Sequence, residues 1–251
     1  YYRCVGQDSL RVVSCNTTGL SRTLHPIDKK YGIEHAHVVL IRRGTDSYDH
    51  KKGPINAIVP SFEQPSHHGP DVRTVLPRLE IFSTAYIVPT TLMHVHDLVL
   101  DMRSDHFNEE DIIELLNDTP RVKVLPVNQN INSTAQVMDY SRDMEINHRG
   151  DMQEIGVWDK SVGVYRAHGY NRLFIKQAIH QESNVIPENI DAIRALSGFS
   201  DSDVPKGYKK IVEDEREKFK QSYLFLGKGD HMEEVNPSRI ITDSNLGLLK
   251  K

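Results

Sequence analysis

The segment Ser14-Cys15-Asn16-Thr17-Thr18-Gly19 puts a thiol where a strand-like run gives way to a helix-like one. Unpaired backbone N–H groups at a helix start favour a thiolate, so Cys15 reads as a nucleophile of depressed pKa. A cysteine closing a strand can equally be a small buried hydrophobe. His94 is the obvious partner, because an imidazole beside the thiol can take its proton and later return one to a substrate oxygen. Leu92, His94, His96, Leu98 and Leu100 share one face at period two, so the two rings point the same way. That pair can instead supply half of a metal site, completed by His67 and His68; neither Cys4 nor Cys15 has metal-ligand spacing. Arg42 and Arg43 at a strand end, with Thr17 and Thr18 at a helix start, are residue types that grip phosphate. Lys51 and Lys52 read equally as solvated loop charges.

The elements that must position these groups follow from periodicity. Residues 10–14 form a strand, and residues 16–31 carry Leu20, Leu24, Ile27 and Tyr31 as a helical stripe that Pro26 kinks or ends and Gly32 stops. Residues 35–43 are strand-like, 44–70 read as a long working loop, and 80–88 and 91–102 are strands. Asn108 caps a helix over Glu109–Asn117 with Ile112, Ile113, Leu115 and Leu116 apolar. A strand over 121–127, a helix over 134–142, strands over 155–165 and 172–180, and a helix over 188–197 with Ile190, Ile193 and Leu196 inward complete the ordered part. A charged helix over 206–222 and a loose tail come last. This order gives an α+β fold with a mixed, mainly antiparallel sheet and helices on one face.

Composition narrows the function. Across 251 residues, 31 Lys+Arg against 35 Asp+Glu give a net charge of −4, which disfavours nucleic-acid binding. No run approaches the roughly 18 apolar residues of a membrane helix. Two cysteines cannot form a disulfide framework, so a cytoplasmic protein is expected. The opening Tyr1, a few residues before a strand, suggests a piece of a longer chain.

The sequence strongly resembles the archaeal-type (type II) glyceraldehyde-3-phosphate dehydrogenases. The matching stretches are RVVSCNTTGLSRTL (11–24), KKGPINAIVP (51–60), PSHHGPDVRTVLP (65–77), VPTTLMHVH (88–96), TPRV (119–122) and AIHQESNVIPENIDAIRAL (178–196). The resemblance implies oxidation of glyceraldehyde 3-phosphate with inorganic phosphate to 1,3-bisphosphoglycerate, with NAD or NADP as cofactor. Cys15 matches the nucleophile and His94 the general base, with His96 the lesser candidate. Ser14, Asn16 and Thr17 fall with the nucleophile segment as substrate-binding residues, and His67, His68 and Gly69 at a second substrate contact. Arg43 and Gln181 match positions that touch the dinucleotide, and no metal is implied.

A family member opens with a Rossmann half, most of which this chain lacks. Residues 1–13 then end a truncated nucleotide-binding half, 14–186 form the catalytic domain, 187–198 the helix returning to that half, and 199–251 a charged helix and tail. Residues 143–151 and those after Gly198 have no match. A homotetramer is implied at full length. The readings that compete are a metal-dependent hydrolase using His67, His68, His94 and His96, and a non-catalytic fragment that keeps the fold.

Overall fold

The computed structural model describes residues 4–44, 56–143 and 152–198, and the backbone alone of 226–227. Lys51, Lys52, the unmatched stretch after Asp143 and the charged helix expected over 206–222 lie outside the described residues.

Strand β1 is short, Arg11–Val12, and pairs antiparallel with β10, Leu226–Gly227. Helix α1, Cys15–Tyr31, begins at an extended Ser14 whose Oγ accepts from Thr17 N at 3.3 Å. It ends at Gly32, where φ is 74° and the backbone N–H donates to Asp28 O. Pro26 was expected to kink or end this helix, yet the chain stays helical through it to Tyr31. Leu20, Leu24 and Ile27 are fully buried on either side, so packing outweighs the backbone hydrogen bond the ring removes.

The main sheet has eight strands in the order β3 (Val59–Pro60), β4 (Ile81–Val88), β2 (Ile33–Arg43), β5 (His94–Met102), β9 (Tyr170–Ile179), β7 (Ile155–Trp158), β6 (Val122–Leu125), with β8 (Gly163–Ala167) also on β9. Only β2–β4 and β6–β7 are parallel among its pairs. The strand expected over 155–165 is broken by a single turn at Asp159–Ser161, and its two halves pair with successive stretches of β9. Asp159 holds that break, its Oδ1 accepting from Val127 N and Lys160 N.

One sheet face is buried: Ala36, Val38 and Leu40 of β2, Leu98 and Leu100 of β5, and Leu173 and Ile175 of β9 join Leu20, Leu24 and Ile27 in the core. The other leaves Val39, Phe82 and Tyr86 exposed. Helix α2 (His68–Val75) packs by β4 and α3 (Glu109–Asn117) by β6, while α4 (Thr134–Asp143) covers a smaller cluster of Leu125, Val137, Met138 and Trp158. The fold class is α+β, as expected. No helix among the described residues is long and apolar enough to cross a membrane.

Helix α5 (Ile186–Leu196) departs from its expected face. Ile190 and Ile193 are 44% and 53% exposed, while Glu188, Asp191, Ala192 and Ala195 are buried and Leu196 packs by Leu10 and Val12. Charge sets this rotation. Arg22 of α1 is 3% exposed, bonds Glu188 in a close ion pair and donates to the carbonyls of Gln153 and Asn184. Arg121 bridges Glu188 at 3.0 Å and Asp191 at 2.6 Å. Arg22, buried on α1, would stand without a counter-charge if the acidic side of α5 faced out, so that side faces in.

Candidate active site

Cys15 is the first residue of α1, and the Ser14 cap spends its hydroxyl locally, on Thr17 N and on Thr17 Oγ1 at 3.0 Å. Ser14 and Thr17 therefore shape the helix start, and Thr17 is fully buried. The Cys15 side chain is 4% exposed, and burial pushes its thiol up to about 12, against the downward pull of Arg42, the Asn16 backbone N–H and Arg43. The depressed pKa expected from the helix start is thus reversed: lost hydration outweighs the helix terminus and both guanidinium groups.

His94 and His96 both turn to the buried face of β5, as the alternation requires. Their environments differ. Arg43 N, across from β5 on β2, donates to His94 Nδ1 at 3.0 Å. A neutral His94 therefore carries its proton on Nε2 and presents a donor there. Burial, followed by His96, Arg42, Arg43 and His68, holds its pKa well below the usual value, so the ring is uncharged at neutral pH. The expected abstraction of the thiol proton by His94 needs a lone pair on Nε2, which this tautomer lacks.

His96 has both nitrogens committed. Gln177 sits directly opposite on β9, and its Nε2 donates to His96 Nδ1 at 3.1 Å and to Gly19 O at 3.2 Å. Gln177 Oε1 accepts from Thr23 Oγ1 at 2.6 Å. With Nδ1 accepting, His96 Nε2 donates to Asn16 Oδ1 at 2.9 Å. His96 is wholly buried and its pKa is pushed down to about 3 by burial, which leaves it no capacity as a base near neutrality.

His68 opens α2 and is 2% exposed, with both ring nitrogens buried and unpartnered. Burial chiefly, then His67, Arg42 and His96, drive its pKa down to about 2. His67 is exposed, with its ring 4.0 Å from that of His68. A long loop was expected over 44–70, and its last three residues instead open α2. Gly69 donates to Ser83 Oγ at 2.9 Å, and a Cβ there would stand 3.1 Å from that oxygen and 3.3 Å from Ile81 O. The four-histidine metal cluster does not assemble, because His96 is saturated and His94 Nδ1 is taken. Among the described residues, His67, His68 and Asp71 do converge, with ligand atoms within 4.8 Å of one another.

Arg43 and Gln181, expected to share one ligand, lie together: Arg43 Nε donates to Gln181 Oε1 at 2.8 Å, and its guanidinium also meets Thr91 O and Glu182. Sequence reading missed Gln177, Thr23, Asn184 and the core ion Arg22. Gln177 had a usable signal, a polar residue in register with Ile175 and Ile179 on a buried face. Asn184, which donates to Cys15 O at 2.8 Å, had none.

The family description "Glyceraldehyde 3-phosphate dehydrogenase, C-terminal domain" matches residues 14–161, the α+β stretch that carries Cys15 at a capped helix start and His94 and His96 on the buried face of β5, and this gives the class of the domain. The chain is 48% identical over 211 residues to glyceraldehyde-3-phosphate dehydrogenase 1 of Methanosarcina barkeri, covering 84% of this chain and 60% of that protein. It is 49% identical over 203 residues to glyceraldehyde-3-phosphate dehydrogenase of Thermococcus sibiricus (80% and 58%) and 50% identical over 197 residues to that of Methanobacterium bryantii (78% and 56%). The chain belongs to the archaeal-type glyceraldehyde-3-phosphate dehydrogenase family. It spans somewhat less than two thirds of the length of these relatives.

Proposed function

We propose that this chain carries the catalytic domain of an enzyme that oxidises glyceraldehyde 3-phosphate, in the presence of inorganic phosphate, to 1,3-bisphosphoglycerate in glycolysis or gluconeogenesis. The observation that carries this reading is the Cys15 thiol at the capped start of α1, in the same charged surround of Arg42 and Arg43 as the neutral His94. Sulfur adds to the aldehyde carbon, the thiol proton departs to solvent, and the carbonyl oxygen becomes an oxyanion. His94 Nε2–H donates to that oxygen and stabilises it without changing charge. As the oxyanion collapses, the hydride on that carbon departs and a thioester is left on Cys15; phosphate then adds to it and releases the acyl phosphate and the Cys15 thiolate.

NAD or NADP, when bound, supplies the hydride acceptor. The residues present fit such a group: Arg43 and Gln181 stand together beside His94, and Asn184 Oδ1 is a buried acceptor without a partner, suited to a carboxamide N–H. His68, with two idle ring nitrogens, and Gly69 fit the phosphate-bearing substrate, with His67 at the rim and Ser14, Asn16 and Thr17 framing the nucleophile. Residues 14–186 act as the catalytic domain. The exposed Ile190 and Ile193 of α5 give it a surface to return to a nucleotide-binding half ending at residues 1–13, and Val39, Phe82 and Tyr86 on the open sheet face suit assembly into a cytoplasmic homotetramer.

The test is turnover by the enzyme that contains this chain. It is expected to reduce NAD or NADP with aldehyde and phosphate, and Cys15→Ser is expected to abolish turnover with the fold intact. A serine variant that still turns over removes the nucleophile assignment.

A further inference from the structure

We infer that His96 is a positioning residue: as the last donor in a buried chain Thr23–Gln177–His96, it fixes the Asn16 carboxamide so that Nδ2, not Oδ1, is offered to an anionic group on the reacting substrate. This rests on the proposed role of Cys15 and goes beyond it by assigning work to a histidine that touches neither thiol nor substrate.

The chain has one consistent polarity. Gly19 O can only accept, so the Gln177 atom 3.2 Å from it is Nε2, and the other end of the amide, Oε1, accepts from Thr23 Oγ1 at 2.6 Å. The two amide protons of Gln177 then meet two acceptors, Gly19 O and His96 Nδ1. With Nδ1 filled, the His96 proton is on Nε2 and can only be given to Asn16 Oδ1. Thr23, His96 and Gln177 are fully buried and Asn16 is 3% exposed, so water does not compete for these bonds and reversing the chain would strand several polar atoms at once. Asn16 follows Cys15 directly, and with Oδ1 held by His96 its amino end is the one left for a ligand, next along the chain from the thiol that Arg42 and Arg43 draw towards its charged form.

Alkylation of Cys15 in the full chain tests this with two probes of similar size, anionic iodoacetate and neutral iodoacetamide. The wild type is expected to favour the anion relative to a free thiol. His96→Leu frees the carboxamide to reverse and is expected to lower the iodoacetate-to-iodoacetamide rate ratio by about tenfold, the weight of one hydrogen bond to a charged group. His96→Gln, which restores an N–H donor, is expected to return the ratio to within about twofold of wild type on that same scale. A ratio that stays put in His96→Leu while the unfolding midpoint falls makes His96 merely structural and overturns the proposal. If His96→Leu does not fold, nitrogen-15 spectra of the wild type decide: a proton on His96 Nδ1 overturns the polarity, and one on Nε2 supports it. With the alkylations run on the enzyme that contains this chain in the presence of NAD or NADP, a wild-type Cys15 inert to both probes takes down the nucleophile reading, whereas a reactive Cys15 with an unmoved ratio takes down this inference alone.

Discussion

Acidification is expected to unfold this domain through its buried imidazoles. An unfolded histidine titrates near 6.5, whereas His96 in the fold is held to about 3 and His68 to about 2, with His94 also well below 6.5. In each case the folded pKa lies below the unfolded one, so below pH 6.5 the unfolded chain binds more protons. The stability these rings lend is complete above pH 6.5 and is lost as pH falls towards 3. For His96 alone the loss at pH 4 is about 3 kcal/mol, and His96 and His68 together give a slope of about 3 kcal/mol per pH unit, to which His94 adds in the same direction. Against a net stability of about 5–15 kcal/mol, unfolding near pH 4–5 follows. Urea unfolding between pH 7 and 4.5 checks this, with His96→Gln expected to flatten the slope by about a third. Stability that is level from pH 6.5 to 4.5, or equal slopes in the two proteins, would refute the reasoning, since it would mean that the rings stay hydrated or already carry protons.

Glu188→Gln removes the carboxylate shared by Arg22 and Arg121 and leaves Arg22 buried without its counter-charge; a loss of about 3–5 kcal/mol in urea unfolding is expected, and a loss below about 1 kcal/mol would show that the carbonyls of Gln153 and Asn184 suffice. Gly19→Ala would place a Cβ 1.9 Å from Ile179 Cδ1. Despite alanine's better helix propensity, thermal unfolding is expected to show about 1–3 kcal/mol of destabilisation. Ile179→Val in the same chain removes the clashing methyl and should recover most of it, whereas no recovery would locate the strain elsewhere.

What the sequence made legible was local. The apolar stripe of α1, the capping box of α3 and the alternation that sends His94 and His96 to one face all depend on neighbours within a few residues. What it concealed was set by residues far along the chain. Arg22 reads as an ordinary helix cation until Glu188, 166 positions away, turns it into a core residue, and the same pair rotates Ile190 and Ile193 outward. Residues 155–165 read as one strand because nothing in their pattern announces that Asp159 is needed by Val127.

The direction of the Cys15 shift follows from the same division. Adjacent residues supply what lowers a thiol pKa, an N–H at the helix start and arginines at a strand end, and these are visible in the sequence. What raises it is the sheet and helices closing over the site, which no spacing reveals. Because the second effect exceeds the first in this chain, the thiol rests protonated, and ionisation must be coupled to something that adds positive charge or donors near sulfur. Under the proposed function, the cationic nicotinamide ring of the oxidised cofactor would bring positive charge, and His94 Nε2–H, opposite the nitrogen that Arg43 N fills, would be a donor. On that same proposal, burial that looks inconsistent with a nucleophile suits one whose reactivity depends on its co-substrate, since a thiol 4% exposed can pass its proton to water at the rim while a thioester formed on it is largely shielded.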